Sequence, residues 1–331
     1  MGRPDSYQLP ARANSHGRTR VAISPRIESR MSTGATLSLE SIATDPVVGV
    51  ATRGKRRRKL GALLIEAQLS DVASLDFLGG TAAVFSTRSP QKETPNEDVA
   101  AIWPMGPTSG VLAVADGLGG HAGGERASRL AIETIQKTLQ EAAASAPENG
   151  EPIDLRAAIL NGIEAANQAV RELGTGAATT LALVEIQDRT IRTYHVGDSE
   201  ILVTGQRGKV KLQTIPHSPI GYAVEAGLME AEEAIHHEAR HVISNVIGSD
   251  QMRIEMGPPT ELAPRDTLLL ASDGLFDNLF PDEIVEAIRS GPLDNSVGSL
   301  VEAARGRMAT GGGTAPSKPD DLTVIAFRLA N

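Results

Sequence analysis

Apolar residues in this chain follow two periods, and the two come in blocks rather than in strict alternation. Short runs rich in Val, Leu, Ile and Ala at residues 81–87, 110–115, 179–186, 190–196, 201–205, 267–271 and 322–329 read as strands. Residues 125–144 place Ile132, Ile135 and Leu139 on one helical face, and residues 155–173 stack Leu155, Ile159, Ile163, Ala166 and Val170. Both stripes predict helices laid on a sheet. Two further helices are expected over 281–289, where Pro281 suits a first turn, and over 296–308. This grouping favours an antiparallel sheet system over a doubly wound parallel one. Two stretches break the pattern. Residues 215–247, rich in His and Glu and holding Ser218-Pro219 and Gly221, read as a surface excursion; residues 309–319 (ATGGGTAPSKP) read as a flexible connector.

Charge divides the chain. The first 60 residues hold ten Arg and two Lys, including the run Lys55-Arg56-Arg57-Arg58-Lys59, whereas the remainder is acidic and brings the net charge to -9. Residues 1–70 are therefore expected to form an Arg-rich, largely disordered extension, and residues 71–331 a folded domain. The leader lacks the apolar core of ~7–15 residues that a secretory signal needs, and no stretch approaches the ~20 apolar residues of a membrane span. A cytoplasmic protein without a span is expected. With no cysteine there is no thiolate ligand or nucleophile, so a metal would be held by oxygen or imidazole. That points to hard cations.

The residues able to carry chemistry are acidic and lie beside expected strand ends. Asp116 follows the run GVLAVA and opens the stretch DGLGGHAGGE, which continues neither strand nor helix. Ser272-Asp273-Gly274 repeats that arrangement after a second apolar run. Glu97 and Asp98, Asp198 in Gly197-Asp198-Ser199, and Asp320-Asp321 before the last strand complete the set. Magnesium and manganese take octahedral oxygen shells and keep several waters, so a few carboxylates plus a backbone carbonyl, for which Gly117 is suited, could hold two ions. Ions about 3.5–4 Å apart would acidify a shared water and polarise a phosphoryl oxygen. Taken singly, each motif has a plainer reading. An Asp-Gly after a strand is a turn, Asp320-Asp321 a solvated strand start, and His121 a surface residue of a glycine loop. His217, His236, His237 and His241 have no standard zinc spacing and suit an exposed polar loop. Joint order, not any one member, points to a site.

In that order the motifs resemble the metal-dependent Ser/Thr phosphatases of the PP2C family. The likeness spans roughly residues 75–330: Asn96-Glu97-Asp98, DGLGGHAGGE, Gly176 to Thr180, Gly197-Asp198-Ser199, Ser272 to Asp277, and Asp320 to Val324. It implies an α+β fold, an αββα sandwich of two antiparallel sheets flanked by helices, with a dinuclear Mg2+ or Mn2+ centre in a cleft at one end. Catalysis would rest on Asp116, Asp273 and Asp320. By the same resemblance Asp116 bridges the ions, Gly117 offers its carbonyl, and Asp273 and Asp320 complete the first ion's ligands. Glu97 serves the second ion directly or through water, and Asp198 joins Asp273 at a third, weaker site. Asp320 rather than Asp321 falls at the ligand position, because the family reads Asp-Asn there. Residues 211–248 resemble the flap tied to substrate selection.

Three positions depart from the family. Glu93 stands where an Arg holds the substrate phosphate, which leaves Lys92 and Arg88 as substitutes; a lysine is a point charge without the bidentate fork. Leu118 replaces the His of animal members, and His121, at the bacterial spacing, is a candidate substrate contact. Glu200 replaces the Arg after Gly-Asp-Ser. The expected function is hydrolysis of phosphoserine and phosphothreonine in proteins, the substrate being a product of a Ser/Thr kinase or such a kinase itself. The alternative is a weakly active phosphatase-fold regulator that binds metal or a partner. The basic leader could meet nucleic acid or an acidic membrane, but its run is short and a disordered tail explains it as well, so neither is an expected partner.

Overall fold

A computed structural model describes residues 61–119, 123–146, 153–311 and 313–330. In chain order the first strands are β1 (Ala62–Ile65), β2 (Ala73–Phe77), β3 (Gly80–Thr87), β4 (Val99–Pro104), β5 (Ser109–Ala115) and β6 (Gly117–Leu118). Helices α1 (Gly124–Ala144) and α2 (Leu155–Glu172) follow, then β7 (Ala178–Thr179), β8 (Leu181–Gln187), β9 (Thr190–Val196), β10 (Glu200–Thr204) and β11 (Val210–Gln213). After α3 (Pro219–Glu225) and α4 (Ala231–Ala234) come β12 (Glu255–Met256), β13 (Thr260–Glu261) and β14 (Thr267–Ala271). The chain then runs through α5 (Asp273–Phe276), α6 (Pro281–Ile288) and α7 (Leu293–Thr310) into β15 (Leu322–Leu329).

Two antiparallel sheets result, ordered β1-β4-β5-β8-β9-β12, with β13 also on β9, and β11-β10-β14-β15-β3-β2. Alternation along β5 explains the layers. Val111, Ala113 and Ala115 face Ile132, Ile135, Ile159 and Ile163 of α1 and α2, while Leu112 and Val114 face Leu268, Leu270 and Phe327 of the second sheet. The outer face of that sheet, with Phe85, Leu269 and Val324, packs on Ile284 and Ile288 of α6 and on Val297 and Leu300 of α7. Inner strands are covered on both faces, so they read as unbroken apolar runs. The expected αββα sandwich is present.

Several boundaries differ from the sequence reading. Folded chain begins before residue 70: Ala62–Ile65 forms an edge strand paired with β4, and Ala62, Leu63 and Leu64 are buried. The basic run just upstream masks this four-residue apolar signal when composition is averaged. Residues 1–60, and with them the rest of the Arg-rich extension, lie outside the described residues. The sequence reading does not include β2, a five-residue alternating segment (ASLDF), or β4, a short unbroken apolar run (VAAIWP). The strand expected over 179–186 is divided, since Thr179 pairs with Gly117 in a separate two-stranded ladder before β8 begins at Leu181. The expected flexible connector is pinned at its end. Lys318 N donates to Asn278 Oδ1 at 2.8 Å, Asn278 Nδ2 donates to Lys318 O at 2.8 Å, and Ser317 Oγ donates to Arg307 O at 2.9 Å.

Candidate active site at the converging strand ends

Five aspartates are placed by strand ends. Asp116 follows β5, Asp98 precedes β4, Asp198 sits between β9 and β10, Asp273 follows β14, and Asp320 precedes β15. The backbone of Asp116 is fixed from both sides. Its N–H donates to Thr180 Oγ1 at 3.0 Å, and its carbonyl accepts from Thr179 Oγ1 at 2.7 Å and Thr180 N at 2.9 Å. These bonds explain the break between β7 and β8. Ser272 Oγ donates to Asp98 Oδ2 at 2.8 Å and accepts from Thr323 N at 3.0 Å, tying the first sheet to the second directly beneath the cleft. Asn96 plays a scaffold part, donating to Ala67 O and Ser86 Oγ at 2.9 Å.

The carboxylates perturb one another. Burial raises the pKa of Asp116 well above the usual carboxylate range, and Asp98, Asp273, Asp320 and Asp198 add to the rise. Asp198 is raised by burial and then by Asp273. Asp98 is raised by burial and by Asp321, although Ser272 and Thr323 oppose this. Asp320 is pushed up to about 6 by burial and Asp273, with Lys318 pulling the other way. Buried oxygens Asp98 Oδ1, Asp198 Oδ1 and Asp273 Oδ1 have no hydrogen-bond partner. A crowd of desolvated carboxylates with unused oxygens calls for a counter-cation, and an oxygen-only donor set suits Mg2+ or Mn2+.

Glu97 and the Gly117 carbonyl border the same small space. Gly117 N donates to Glu97 O at 3.2 Å, and a Cβ placed on Gly124 would lie 2.6 Å from Gly117 O and 2.8 Å from Glu97 Oε1. Glycine at 124 is what lets α1 start against this space.

Of the two candidates for the phosphate contact, Lys92 reaches the acidic cleft and Arg88 does not. Arg88 donates to Glu93 O at 3.1 Å in an exposed loop. Lys92 Nζ bonds Glu97 Oε2 and, at 2.8 Å, Asp321 Oδ2. Burial lowers the Lys92 pKa, but the hydrogen bonds and charges of Asp321 and Glu97 outweigh it and hold the ammonium above the ordinary lysine range. Asp321 is fully engaged, accepting from Ser89 N and Glu97 N at 2.7 Å as well as from Lys92. His121 lies outside the described residues.

Lys318 and Asp277 are site residues that the sequence reading passed over. Lys318 Nζ lies 2.5 Å from Asp273 Oδ2 and 3.0 Å from both Asp277 Oδ2 and Asp320 Oδ2. Burial lowers its pKa, and the three carboxylates more than reverse that. A signal for Asp277 existed, because it follows Asp273 by one helical turn. Nothing comparable marked Lys318, hidden at the end of a Gly/Pro-rich segment.

Beside the centre, a cavity of about 370 Å³ runs from Asp198 and Asp273 under the flap residues Ile220, Val224 and Ile235. Glu200 lines it, accepts from Gln213 Nε2 at 2.9 Å and is pushed up to about 8, chiefly by burial. His236, His237 and His241 are exposed, but His217 is buried and does not belong with them. It groups instead with His195 and Glu255. His217 Nδ1 faces the donors Gly197 N (3.0 Å) and Asn245 Nδ2 (2.9 Å), so Nε2 keeps its proton and donates to Glu255 at 3.0 Å. His217 thus braces the flap's base with both ring nitrogens engaged, whereas the ring nitrogens of the buried His195 have no hydrogen-bond partner.

An oxygen-only acidic cleft on an αββα sandwich suits a metal-dependent hydrolase. The family pattern of Protein phosphatase 2C matches residues 87–302. Protein phosphatase PhpP of Streptococcus pneumoniae is 29% identical over 222 residues, covering 65% of this chain and 87% of that one. The serine/threonine phosphatase of S. agalactiae superposes with a TM-score of 0.63 at 27% identity, covering 75% of this chain and 98% of that one. The catalytic domain of the phosphatase PstP in complex with 2 manganese ions gives a TM-score of 0.58 at 27% identity, covering 76% and 98%. The chain belongs to the protein phosphatase 2C family. It is an enzyme of the metal-dependent protein serine/threonine phosphatase class. Among the described residues no helix is long and apolar enough to cross a membrane.

Proposed function

We propose that this chain hydrolyses phosphoserine and phosphothreonine in proteins at two Mg2+ or Mn2+ ions held by Asp116, Gly117, Glu97, Asp273 and Asp320. Asp198 and Asp273 are available to a third. The observation that carries this reading is the convergence of mutually repelling, buried aspartates whose oxygens Asp198 Oδ1 and Asp273 Oδ1 lack partners. Such ions, when bound, supply an activated water and electrostatic stabilisation of the phosphoryl oxygens. Asp116, with its main chain held by Thr179 and Thr180, presents its carboxylate to the centre of the cleft. Lys92 offers the phosphate a cationic donor in place of the missing Arg, and Asp321 orients it. Substrates are products of Ser/Thr kinases or such kinases themselves.

Hydrolysis of a phosphopeptide with added Mn2+, abolished by chelator and by Asp273→Ala, is the expected result. Chelator-insensitive turnover refutes the reading. The exposed Glu93 at the Arg position motivates the alternative of a weakly active regulator. Metal uptake combined with turnover no faster than that of Asp273→Ala selects it.

A further inference from the structure

Lys318 sits where a divalent ion would have to find its ligands. Three carboxylates, those of Asp273, Asp277 and Asp320, lie within 3.0 Å of its ammonium. This is not a loose side chain drawn into an acidic hole. Its main chain is bonded in both directions to Asn278, which is itself fully buried and donates to Gly274 O at 2.9 Å. The lysine backbone is therefore anchored to the same turn that carries Asp273 and Asp277.

The ligand oxygens are unequally committed. Asp273 gives Oδ2 to Lys318 and keeps Oδ1 unpartnered and buried. Asp320 has one contact at each oxygen, Oδ1 accepting from Asp321 N at 2.9 Å and Oδ2 facing Lys318 at 3.0 Å.

We infer that Lys318 is a resident cation of this centre: it holds Asp273, Asp277 and Asp320 together when no divalent ion is bound, and its charge competes with such an ion for Asp273 and Asp320. The inference rests on the metal-centre reading above. It has two consequences of opposite sign. Removing the ammonium leaves three neighbouring carboxylates uncompensated, so the metal-free protein loses stability. The same change removes a competing positive charge, so divalent ions bind more tightly.

The experiment compares chelator-stripped full-length wild type, Lys318→Met and Lys318→Arg by calorimetric titration with Mn2+ and by thermal melts without metal. Lys318→Met is expected to bind the first Mn2+ at least about tenfold more tightly and to melt several degrees lower, whereas Lys318→Arg stays near wild type in both. Mn2+ affinity that is equal or weaker in Lys318→Met overturns the inference while leaving the metal centre in place. No uptake by wild type or variant overturns both. Should Lys318→Met fail to fold, Lys318→Gln carries the same comparison with a polar end in the same space.

Discussion

Replacing Lys92 with Met tests whether this lysine serves substrate or only scaffold. The change removes an ammonium that contacts Glu97 and lies 2.8 Å from Asp321, a residue only 3% exposed. Breaking a fully buried pair costs about 3–5 kcal/mol, and exposed pairs contribute about 0–1. Lys92 is 23% exposed, and Asp321 keeps its two backbone donors at 2.7 Å, which places the cost near 2 kcal/mol. A domain of this size should then melt roughly 4–8 °C lower. A charge-assisted hydrogen bond to phosphate contributes about 1.5–3 kcal/mol, so kcat/KM on a phosphopeptide should fall ~10- to 150-fold. Lys92→Arg should recover both quantities, since guanidinium reaches the same partners and adds a fork. The assays are a thermal melt and steady-state kinetics at saturating Mn2+. Unchanged kcat/KM in a Lys92→Met protein that melts lower would refute the substrate role and leave the lysine as a strut for Asp321.

Asp116→Asn should abolish Mn2+-dependent turnover yet raise the melting temperature of the metal-free protein, because it removes a buried charge repelled by Asp98, Asp273, Asp320 and Asp198; a lower metal-free melt contradicts this. Gly124→Ala puts a methyl 2.6 Å from Gly117 O and 2.8 Å from Glu97 Oε1, so Mn2+ affinity should drop at least about tenfold with every candidate ligand still present, as titration calorimetry would read. For His195, burial and the nearby His217 push the imidazole down to about 3, so the stability it contributes is present above its ordinary value of 6.5 and is lost as pH falls towards 3. His195→Asn should flatten the acid limb of the stability curve by up to about 5 kcal/mol, and an acid limb identical to wild type would show that this imidazole does not control it.

Fold class was legible because helix and sheet periods were clean where elements were long. α1, α2 and β15 need no tertiary context to be read, since each presents a full apolar face. Short elements were not legible. β1 has four residues and β6 and β7 two each, and they exist because a neighbouring strand end completes them. Asp116 and Asp273 were legible at strand ends because an Asp-Gly step interrupts an apolar run at each. What local spacing could not disclose is which cations balance them. Lys92 and Lys318 reach the cleft from segments 229 and 45 residues distant from the partners Asp321 and Asp273.

Those two lysines explain how the cleft tolerates its departures from the family pattern. Asp321 in place of an Asn adds a negative charge to a cluster already raising the pKa values of Asp98 and Asp116, which by itself should destabilise the domain. A carboxylate, however, accepts at both oxygens, and here Oδ1 takes Ser89 N while Oδ2 takes Glu97 N, so two loops are fastened by one side chain. An amide in the same pose would turn its NH2 against one of those N–H donors. The added charge is then matched by Lys92, which bonds Asp321 and Glu97 together from the opposite side. Glu93, where the resemblance leads one to expect Arg, is exposed, whereas Lys92 one residue earlier reaches Glu97 and Asp321. Lys318 provides the same compensation on the far side of the cleft, between Asp273, Asp277 and Asp320. The consequence is a centre whose acids are held by ammonium groups at two edges, while Asp198 Oδ1 and Asp273 Oδ1 stay buried without a hydrogen-bond partner.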